Sequence, residues 1–296
     1  MKFKNIHIII NPKSGQYEPI VAYLNDSFQG SDIEWKISIM KGESDAETFA
    51  QQWLGKVDVI AVYGGDGSIS EVAKVLKGSN TPLAIIPGGT ANVISKELGI
   101  PQNSIEAIEL LKSFNTKCIH MDMGLANDNL FMIRLNVGIM ADMVMDASCE
   151  MKNAVGRLAY GIAGIQSAIK TEPVKFRMKI DGLEILEEGV ALTVTNCGNI
   201  GIEDYSFLPD ISINDGFFDV ILLNHADLMS ILRITGTTLL KTESEVLKHW
   251  KCKEFEISFD TPQKFILDDF AMEAKNFHIE VIPNALKVIV PLKKPS

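Results

Sequence analysis

The chain has 296 residues, of which 46% are hydrophobic, so it is long enough to bury one large core or two ordinary ones. Its 38 acidic and 28 basic side chains give a formal net charge of -10, which repels nucleic-acid phosphates and argues against nucleic acid as a partner. The sequence has no apolar run long enough to span a membrane. Its four cysteines are far apart and lack metal-binding spacing, so they are interpreted as buried free thiols of a protein in a reducing cytoplasm.

Through about residue 115, short apolar runs alternate with stretches of helical periodicity. Strands are predicted over residues 6–10, 33–40, 57–63 and 83–86. Helices are predicted over residues 19–28, 46–54, 69–76, 91–98 and 105–114. Strands buried on both faces are rich in valine and isoleucine, and their alternation with helices indicates a doubly wound parallel sheet. Residues 1–120 are therefore predicted to form an N-terminal α/β domain.

From about Ile119 the pattern changes to hairpin-like segments with polar or glycine turns, as in residues 121–130 and at Asp181-Gly182. Two helical stretches, residues 154–170 and 226–240, interrupt these segments. Residues 121–296 are therefore predicted to form a second, mainly antiparallel β domain.

Three glycine-bearing loops follow predicted strands: Asn11–Gly15, Gly64–Ser68 and Pro87–Thr90. Ligands of an open parallel sheet bind beyond the carboxyl ends of its strands, so the loops are predicted to form one rim. Glycines let backbone amides approach a phosphate, and each following helix directs its positive end to the same place. One such loop alone is equally well explained as a turn without a ligand, but three favour phosphate binding. The sequence lacks GxxxxGK[ST] and GxGxxG, which disfavours a P-loop or a standard dinucleotide site.

Asp66 is the one acid in the Gly64–Ser68 loop. A carboxylate among phosphate-facing amides would repel the ligand unless a cation accompanies it. Mg²⁺ prefers one or two carboxylates together with waters and phosphate oxygens, so Asp66 is predicted to serve a magnesium nucleotide. The alternative is that Asp66 caps the following helix, which leaves Gly64 and Gly65 unexplained.

The motifs Asn11-Pro-x-Ser-Gly15, Gly64-Gly-Asp-Gly-Ser68 and Pro87-Gly-Gly-Thr-Ala-Asn92 resemble, in order and spacing, the diacylglycerol kinase catalytic domain family, especially its soluble bacterial members. GGDG alone is less specific, because NAD kinases and phosphofructokinases share it. Further matches are Gly156–Tyr160, Asn214–Asp219 and Ile279–Val288, so the resemblance covers nearly the whole chain. It implies a nucleotide-binding α/β domain and a β-sandwich-like lipid-substrate domain, with a last strand that packs back on the first domain.

The resemblance also implies which residues contact ATP and metal. The ATP contacts would be Asn11, Ser38, Gly64, Gly65, Asp66, Gly67, Ser68, Ile69, Ser70, Gly88, Gly89, Thr90 and Asn92. Asp66 would engage Mg²⁺. A second, structural metal site, built from one acid and nearby carbonyls, would use Asp215 with Ser212 and Phe217. Without the resemblance, residues 214–216 read as a turn before a strand.

The chain departs from the family near its C-terminus. The family commonly carries Asp-Gly-Glu, with acids that serve the substrate hydroxyl, whereas this chain reads Leu267-Asp-Asp-Phe-Ala-Met-Glu273. Asp268 keeps the aspartate, Asp269 replaces the glycine and Phe270 replaces the glutamate. Asp268, Asp269 and Glu273 are therefore the candidate catalytic acids.

The predicted function is transfer of the γ-phosphate of Mg-ATP to the hydroxyl of a diacylglycerol-like lipid. The alternatives are a small-metabolite kinase related to NAD kinases, and a catalytically weak nucleotide-binding regulator, which Phe270 favours. The expected partners are ATP and a lipid with a free hydroxyl. Peripheral contact at the inner membrane surface is expected, and a homodimer is a further option. Residues 248–253 mix cations with a tryptophan and predict either docking on anionic lipid or an ordinary solvated strand.

Overall fold

A computed structural model describes residues 3–15, 18–42, 44–138, 173–200, 206, 208–224 and 247–292. The chain divides into two compact units, Met1–Met123 with Pro283–Ser296, and Gly124–Ile282. The helices predicted over residues 154–170 and 226–240, and the match at 156–160, lie outside the described residues. Within the described part of the chain, no helix is long and apolar enough to cross a bilayer.

The first unit is a parallel sheet with helices between its strands. Its strands are β1 (Asn5–Ile10), β2 (Glu34–Ile39), β3 (Val59–Gly64) and β4 (Leu83–Pro87). Its helices are α1 (Ile20–Phe28), α2 (Asp45–Trp53), α3 (Asp66–Leu76), α4 (Val93–Glu97) and α5 (Ser104–Glu109). The strand order β4-β3-β1-β2 is parallel throughout. Every residue of β3 and β4 is buried, as their continuous apolar runs predict.

The second unit is built from antiparallel strands. In chain order they are β5 (Thr116–Ala126), β6 (Asn129–Phe131), β7 (Arg134–Gly138), β8 (Val174–Ile180), β9 (Leu183–Gly189), β10 (Ala191–Thr195), β11 (Phe218–Leu223), β12 (Leu247–Cys252), β13 (Glu254–Leu267) and β14 (Phe270–Pro291). The main sheet runs β12-β11-β10-β7-β13-β14, and the β8-β9 hairpin pairs with β13 through β8. The predicted fold class is therefore confirmed in both units.

Alternate residues of these strands form one phenylalanine-rich core in the second unit. Its most buried aromatic members are Phe131, Phe176, Phe218, Phe255, Phe265 and Phe277. Because successive side chains of a strand point to opposite faces, the residues between them lie on the other side of the sheet. Asp219, between Phe218 and Val220, lies on that side, and so does Asn136, between Leu135 and Val137.

Two strands belong to both units, because β5 begins in the first unit and β14 ends there. Near its end β14 pairs in parallel with β4, where Val288 lies opposite Leu83. The resemblance implied such a return of the last strand. The first unit is consequently assembled from both ends of the chain.

The structure changes one helix boundary that bears on the site. The helix predicted from Ile69 begins at Asp66, because Gly65 is its N-cap and the amide of Ile69 donates to the Gly65 carbonyl at 3.1 Å. The strand therefore passes into the helix through Gly65 alone. The turn predicted at Asp181-Gly182 is confirmed, since both residues have positive φ (47° and 86°) and join β8 to β9.

Candidate functional site

The three glycine-bearing loops follow β1, β3 and β4, whose carboxyl ends lie at one edge of the parallel sheet. Main-chain bonds connect the loops at this edge: the amide of Asn11 donates to the Tyr63 carbonyl at 2.9 Å, and that of Gly88 to the Gly64 carbonyl at 2.9 Å. The Asn11 side-chain amide donates to the Ser68 hydroxyl at 2.8 Å. The structure therefore brings the three predicted loops together into one rim.

Glycines allow the loop backbones to touch one another. A Cβ on Gly15, whose φ is +62°, would overlap the carbonyl oxygen of Gly88. A Cβ on Gly89 would lie 2.6 Å from the Cα of Gly65 and 2.8 Å from the Asn92 side-chain oxygen. The sequence interpretation assigned these glycines to phosphate approach, whereas the structure also requires them for packing of loop on loop.

We expect Gly15→Ala to destabilise the first unit by roughly 2–4 kcal/mol, the sum of overpacking and left-handed backbone strain. ATP affinity should fall with it, because the Asn11 and Gly88 loops would move apart. The matched control is Gly30→Ala, which has the same backbone strain (φ +73°) but no atom within 4 Å of the added Cβ. Thermal unfolding and nucleotide titration of both variants check this prediction. Equal losses of stability and of ATP affinity in the two variants would show that the contact between Gly15 and Gly88 is not the cause.

Asp66 connects the second loop to the third. Its two carboxylate oxygens accept the amides of Val93 and Ile94, the first residues of α4, each at 3.0 Å. Asp66 is only 8% exposed. The alternative of a cap on its own helix is wrong, because Gly65 is the N-cap of α3 and the carboxylate serves another helix.

This donor set does not fit Asp66 as a direct magnesium ligand. Both carboxylate oxygens already accept main-chain hydrogen bonds, and little of the side chain is exposed to a ligand. Mg²⁺ binds to proteins through one or two carboxylates and keeps several of its waters, so a ligand carboxylate must be accessible to a hydrated ion. The arrangement makes Asp66 a residue that positions the two loops.

The remaining predicted nucleotide residues differ in exposure. Thr90 is exposed and Gly67 is half-buried, and both belong to the rim. Asn92, in the left-handed conformation (φ 51°), accepts the amide of Gly89 at 2.9 Å and so shapes the third loop. The side chains of Ile69 and Ser70 are 0% and 1% exposed, so they lie in the interior of the first unit and not on the surface of the rim.

Ser38 has a partner inside the first unit. Its hydroxyl lies 3.0 Å from Nε2 of His7, whose ring stacks on Trp53 at a centroid distance of 4.4 Å. Burial, helped by the charge of Lys36, lowers the pKa of His7 to about 4, so this histidine is neutral at physiological pH. Ser38 therefore belongs to a side-chain cluster between β1 and β2, and its contact with ATP stays a prediction.

Sequence reasoning missed a support beneath the rim formed by Tyr63, Glu18 and Ser104. The Tyr63 hydroxyl donates to Glu18 Oε2 at 3.2 Å, and the Ser104 hydroxyl donates to the same oxygen. Burial, and then the charge of Glu18, raises the pKa of Tyr63 to about 12. A Cβ on Gly88 would lie 3.0 Å from the Tyr63 ring, which explains why a glycine follows Pro87. No spacing rule links these residues, because they come from different elements.

In the second unit, Asp268 and Asp269 form the two-residue turn between β13 and β14. The Asp268 carboxylate accepts the amides of Met132, Ile133 and Arg134 at 2.9, 2.8 and 3.1 Å. Burial raises the pKa of Asp268, and the three amide donors oppose that shift. Asp268 therefore holds the 132–134 segment in place.

The other two candidate acids lie in solvent. Asp269 and Glu273 are exposed, and the side chain of Phe270 is 49% exposed. Either acid can accept a proton without breaking a structural contact that the described residues show. The geometry thus gives Asp268 a positioning contact and leaves Asp269 and Glu273 accessible, and which of the three serves the substrate hydroxyl stays a prediction.

The residues predicted for a second metal also lie in the second unit. One oxygen of Asp215 accepts the amide of Phe217 at 3.1 Å, and the other lies 2.7 Å from Nζ of Lys251. The Ser212 hydroxyl donates to the side chain of Asn214 at 3.0 Å. This set does not fit a divalent metal, because the ammonium of Lys251 already neutralises the Asp215 carboxylate.

The 248–253 segment forms β12 and the residue after it, and its cations have partners. Lys248 pairs with Glu187 at 2.6 Å, Lys251 with Asp215, and Lys253 lies over the Phe217 ring at 5.1 Å from its centroid. Paired cations attract anionic lipid weakly, so the interpretation as an ordinary strand is favoured here.

Comparison with known sequences adds two matches that together span most of the chain. The model of the diacylglycerol kinase catalytic domain family matches residues 5–126. The model of the YegS C-terminal NAD kinase beta sandwich-like domain matches residues 135–290. The division between the two matches falls near the residues at which the two structural units meet along the chain.

Individual relatives are similar over most of their length. The "Diacylglycerol kinase" of Bacillus subtilis (strain 168) is 29% identical over 80% of this chain and 79% of its own. A "Probable lipid kinase YegS-like" of Citrobacter koseri is 26% identical over 96% of this chain and 95% of its own. A crystal structure of a diacylglycerol kinase from Bacillus anthracis str. Sterne superposes with a TM-score of 0.77 at 25% identity, covering 98% of each chain.

Proposed function

Because the chain belongs to the diacylglycerol kinase catalytic domain family and carries its YegS-type C-terminal domain, we propose that it transfers the γ-phosphate of ATP to the hydroxyl of a diacylglycerol-like lipid. The relatives described above are named as a diacylglycerol kinase and a probable lipid kinase, and by its family this chain is a lipid kinase. The family does not specify the acceptor lipid. The observation that carries the choice of ATP as donor is the interlocked rim of three loops.

The rim supports nucleotide binding through main-chain groups. Helix α3 begins directly after β3, so its first amides and its positive end lie at the rim. We assign the ATP phosphates to the Gly64–Ser68 segment and to Gly88, Gly89 and Thr90, with Asn11 and Asn92 shaping those segments. Asp66 and Gly15 act on ATP indirectly by keeping the loops in contact.

The reaction asks little covalent chemistry of the protein. The lipid hydroxyl oxygen forms a bond to the γ-phosphorus, the bond from that phosphorus to the β–γ bridging oxygen breaks, and ADP leaves. The hydroxyl proton passes to a carboxylate, for which we propose Asp269 or Glu273, the exposed acids of the segment that begins at Asp268. Asp268 contributes by holding the main chain beside that segment.

We propose that magnesium binds together with ATP, as the ion held by its phosphates. Mg²⁺ is commonly held by substrate phosphates and waters, with few protein ligands. Since the carboxylates of Asp66 and Asp215 are engaged with main-chain amides and Lys251, neither is assigned as a direct ligand of the ion.

The lipid acceptor implies a membrane partner. We propose peripheral contact at the inner membrane surface from the cytoplasm, because a lipid hydroxyl is presented there. The pairing of the β12 lysines with acidic side chains argues against that strand as the docking surface. A homodimer stays a prediction.

The test is a transfer assay with γ-labelled ATP and a panel of lipids with free hydroxyls, with NAD as the competing acceptor. We expect label in a diacylglycerol-like lipid, identified by product mass, and none in NAD. Label in NAD alone would establish the small-metabolite alternative. Binding of ATP without transfer to any acceptor would instead favour the nucleotide-binding regulator, and Phe270→Glu would then test whether the missing family glutamate is the cause.

A further inference from the structure

A positively charged side chain lies among three aspartates in the second unit. Nζ of Lys251, on β12, is 2.7 Å from an oxygen of Asp215 and 3.3 Å from the carbonyl oxygen of Asp210. It is also 3.9 Å from Oδ2 of Asp219 on β11. The ammonium therefore contacts the kind of oxygen set, carboxylates and a carbonyl, that a bound cation would contact.

Asp219 makes the need for a cation stronger. Its side chain is only 1% exposed, and Oδ1 lies 2.6 Å from Nε2 of His249. Oδ2 is buried and has no hydrogen-bond partner among the described residues. A buried carboxylate is costly unless a positive charge is near, and Nζ of Lys251 faces this oxygen.

The sequence pattern of the family placed a divalent ion at Asp215. In this chain the ammonium of Lys251 lies against one Asp215 oxygen, while the other oxygen accepts the Phe217 amide. A divalent ion bound there would lie beside a like charge, and Lys251 would have to leave both aspartates to admit it. The two cations therefore compete for this position.

We propose that the ammonium of Lys251 takes the place of a divalent metal ion at Asp215, so that the second unit of this lipid kinase is organised without a metal. The side chain joins the turn before β11 to β12 through Asp210 and Asp215. It also neutralises the buried carboxylate of Asp219. This inference does not depend on which lipid is phosphorylated, and its test uses neither ATP nor lipid.

The experiment is thermal unfolding of the nucleotide-free protein in EDTA and in millimolar Mg²⁺ or Ca²⁺. The wild type should melt at the same temperature in all three solutions. Lys251→Met keeps the apolar stem and removes the charge, so it should melt several degrees lower in EDTA and regain part of the loss with Mg²⁺ or Ca²⁺. Adding Asp215→Asn to Lys251→Met should abolish that recovery.

Lys248→Met is the matched control, since Lys248 lies on the same strand and pairs with Glu187 rather than with the aspartates. It should show no response to metal. A wild-type melting temperature that rises with Mg²⁺, and stops rising in Asp215→Asn, would overturn the proposal. A Lys251→Met protein that is destabilised but indifferent to metal would overturn it as well, because Asp215 would then be no cation site.

If Lys251→Met does not fold, the wild type still decides the matter. Mn²⁺ binding, followed by electron paramagnetic resonance, should be the same for the wild type and Asp215→Asn. A Mn²⁺ site that is present in the wild type and lost in Asp215→Asn would show that a metal, and not Lys251, occupies this position.

Discussion

Asp66→Ala is expected to reduce phosphate transfer from ATP by on the order of 10²-fold, because displacement of a binding group by about 1 Å has effects of that size. The substitution leaves the amides of Val93 and Ile94 without their acceptor and releases α4 from the Gly64–Ser68 segment. Steady-state kinetics over a range of ATP concentrations measure the loss. Since both loops are proposed to hold the phosphates, the effect should appear in KM for ATP and in kcat.

The control for this prediction is Asp45→Ala. Asp45 also accepts two main-chain amides at the start of a helix, those of Lys41 and Gly42 at 2.7 and 3.0 Å, but it lies on α2. Its removal should leave transfer unchanged. Asp66→Asn separates positioning from metal binding, since the amide oxygen still accepts one hydrogen bond while the charge is lost. If Asp66→Asn is as inactive as Asp66→Ala and Mg²⁺ in excess partly restores it, Asp66 is a metal ligand after all.

Asp268→Ala is expected to destabilise the second unit strongly. Three amides in a buried segment, those of Met132, Ile133 and Arg134, lose their acceptor together. A buried donor without a partner costs about 1–3 kcal/mol, so a fall in melting temperature on the order of 10 °C is expected. Thermal unfolding measures this, and loss of transfer should follow the loss of fold.

A catalytic base would behave differently, because its removal lowers turnover and leaves stability nearly unchanged. We expect that behaviour from Asp269→Asn or Glu273→Gln, with a loss of about 10²- to 10⁴-fold. Asp181→Ala is the matched control for Asp268→Ala: Asp181 lies in another hairpin turn and accepts the amides of Lys253 and Glu254, both at 2.9 Å, in an exposed place. Water can replace that acceptor, so the melting temperature should fall much less. If Asp268→Asn is as stable as the wild type but has lost turnover, Asp268 is the catalytic base.

Much of the candidate site was predictable from local sequence. Glycine loops after strands β1, β3 and β4 had to meet, because the carboxyl ends of parallel strands share an edge. The functions of individual acids were not predictable in the same way. Asp66 was predicted to face a metal and Asp268 a substrate hydroxyl, yet each accepts main-chain amides from a distant segment.

The sequence by itself determined the α/β and antiparallel patterns, because burial of apolar runs and the positive φ of a turn such as Asp181-Gly182 are properties of a few neighbouring residues. Only the tertiary structure decided which partner each charged group has. Asp66 accepts the amides of residues 93 and 94, Asp268 accepts those of residues 132–134, and Lys251 forms an ion pair with Asp215. A carboxylate can accept a hydrogen bond from an amide or an ammonium, or can bind a metal ion, so its role depends on which of these groups the fold brings within about 3 Å.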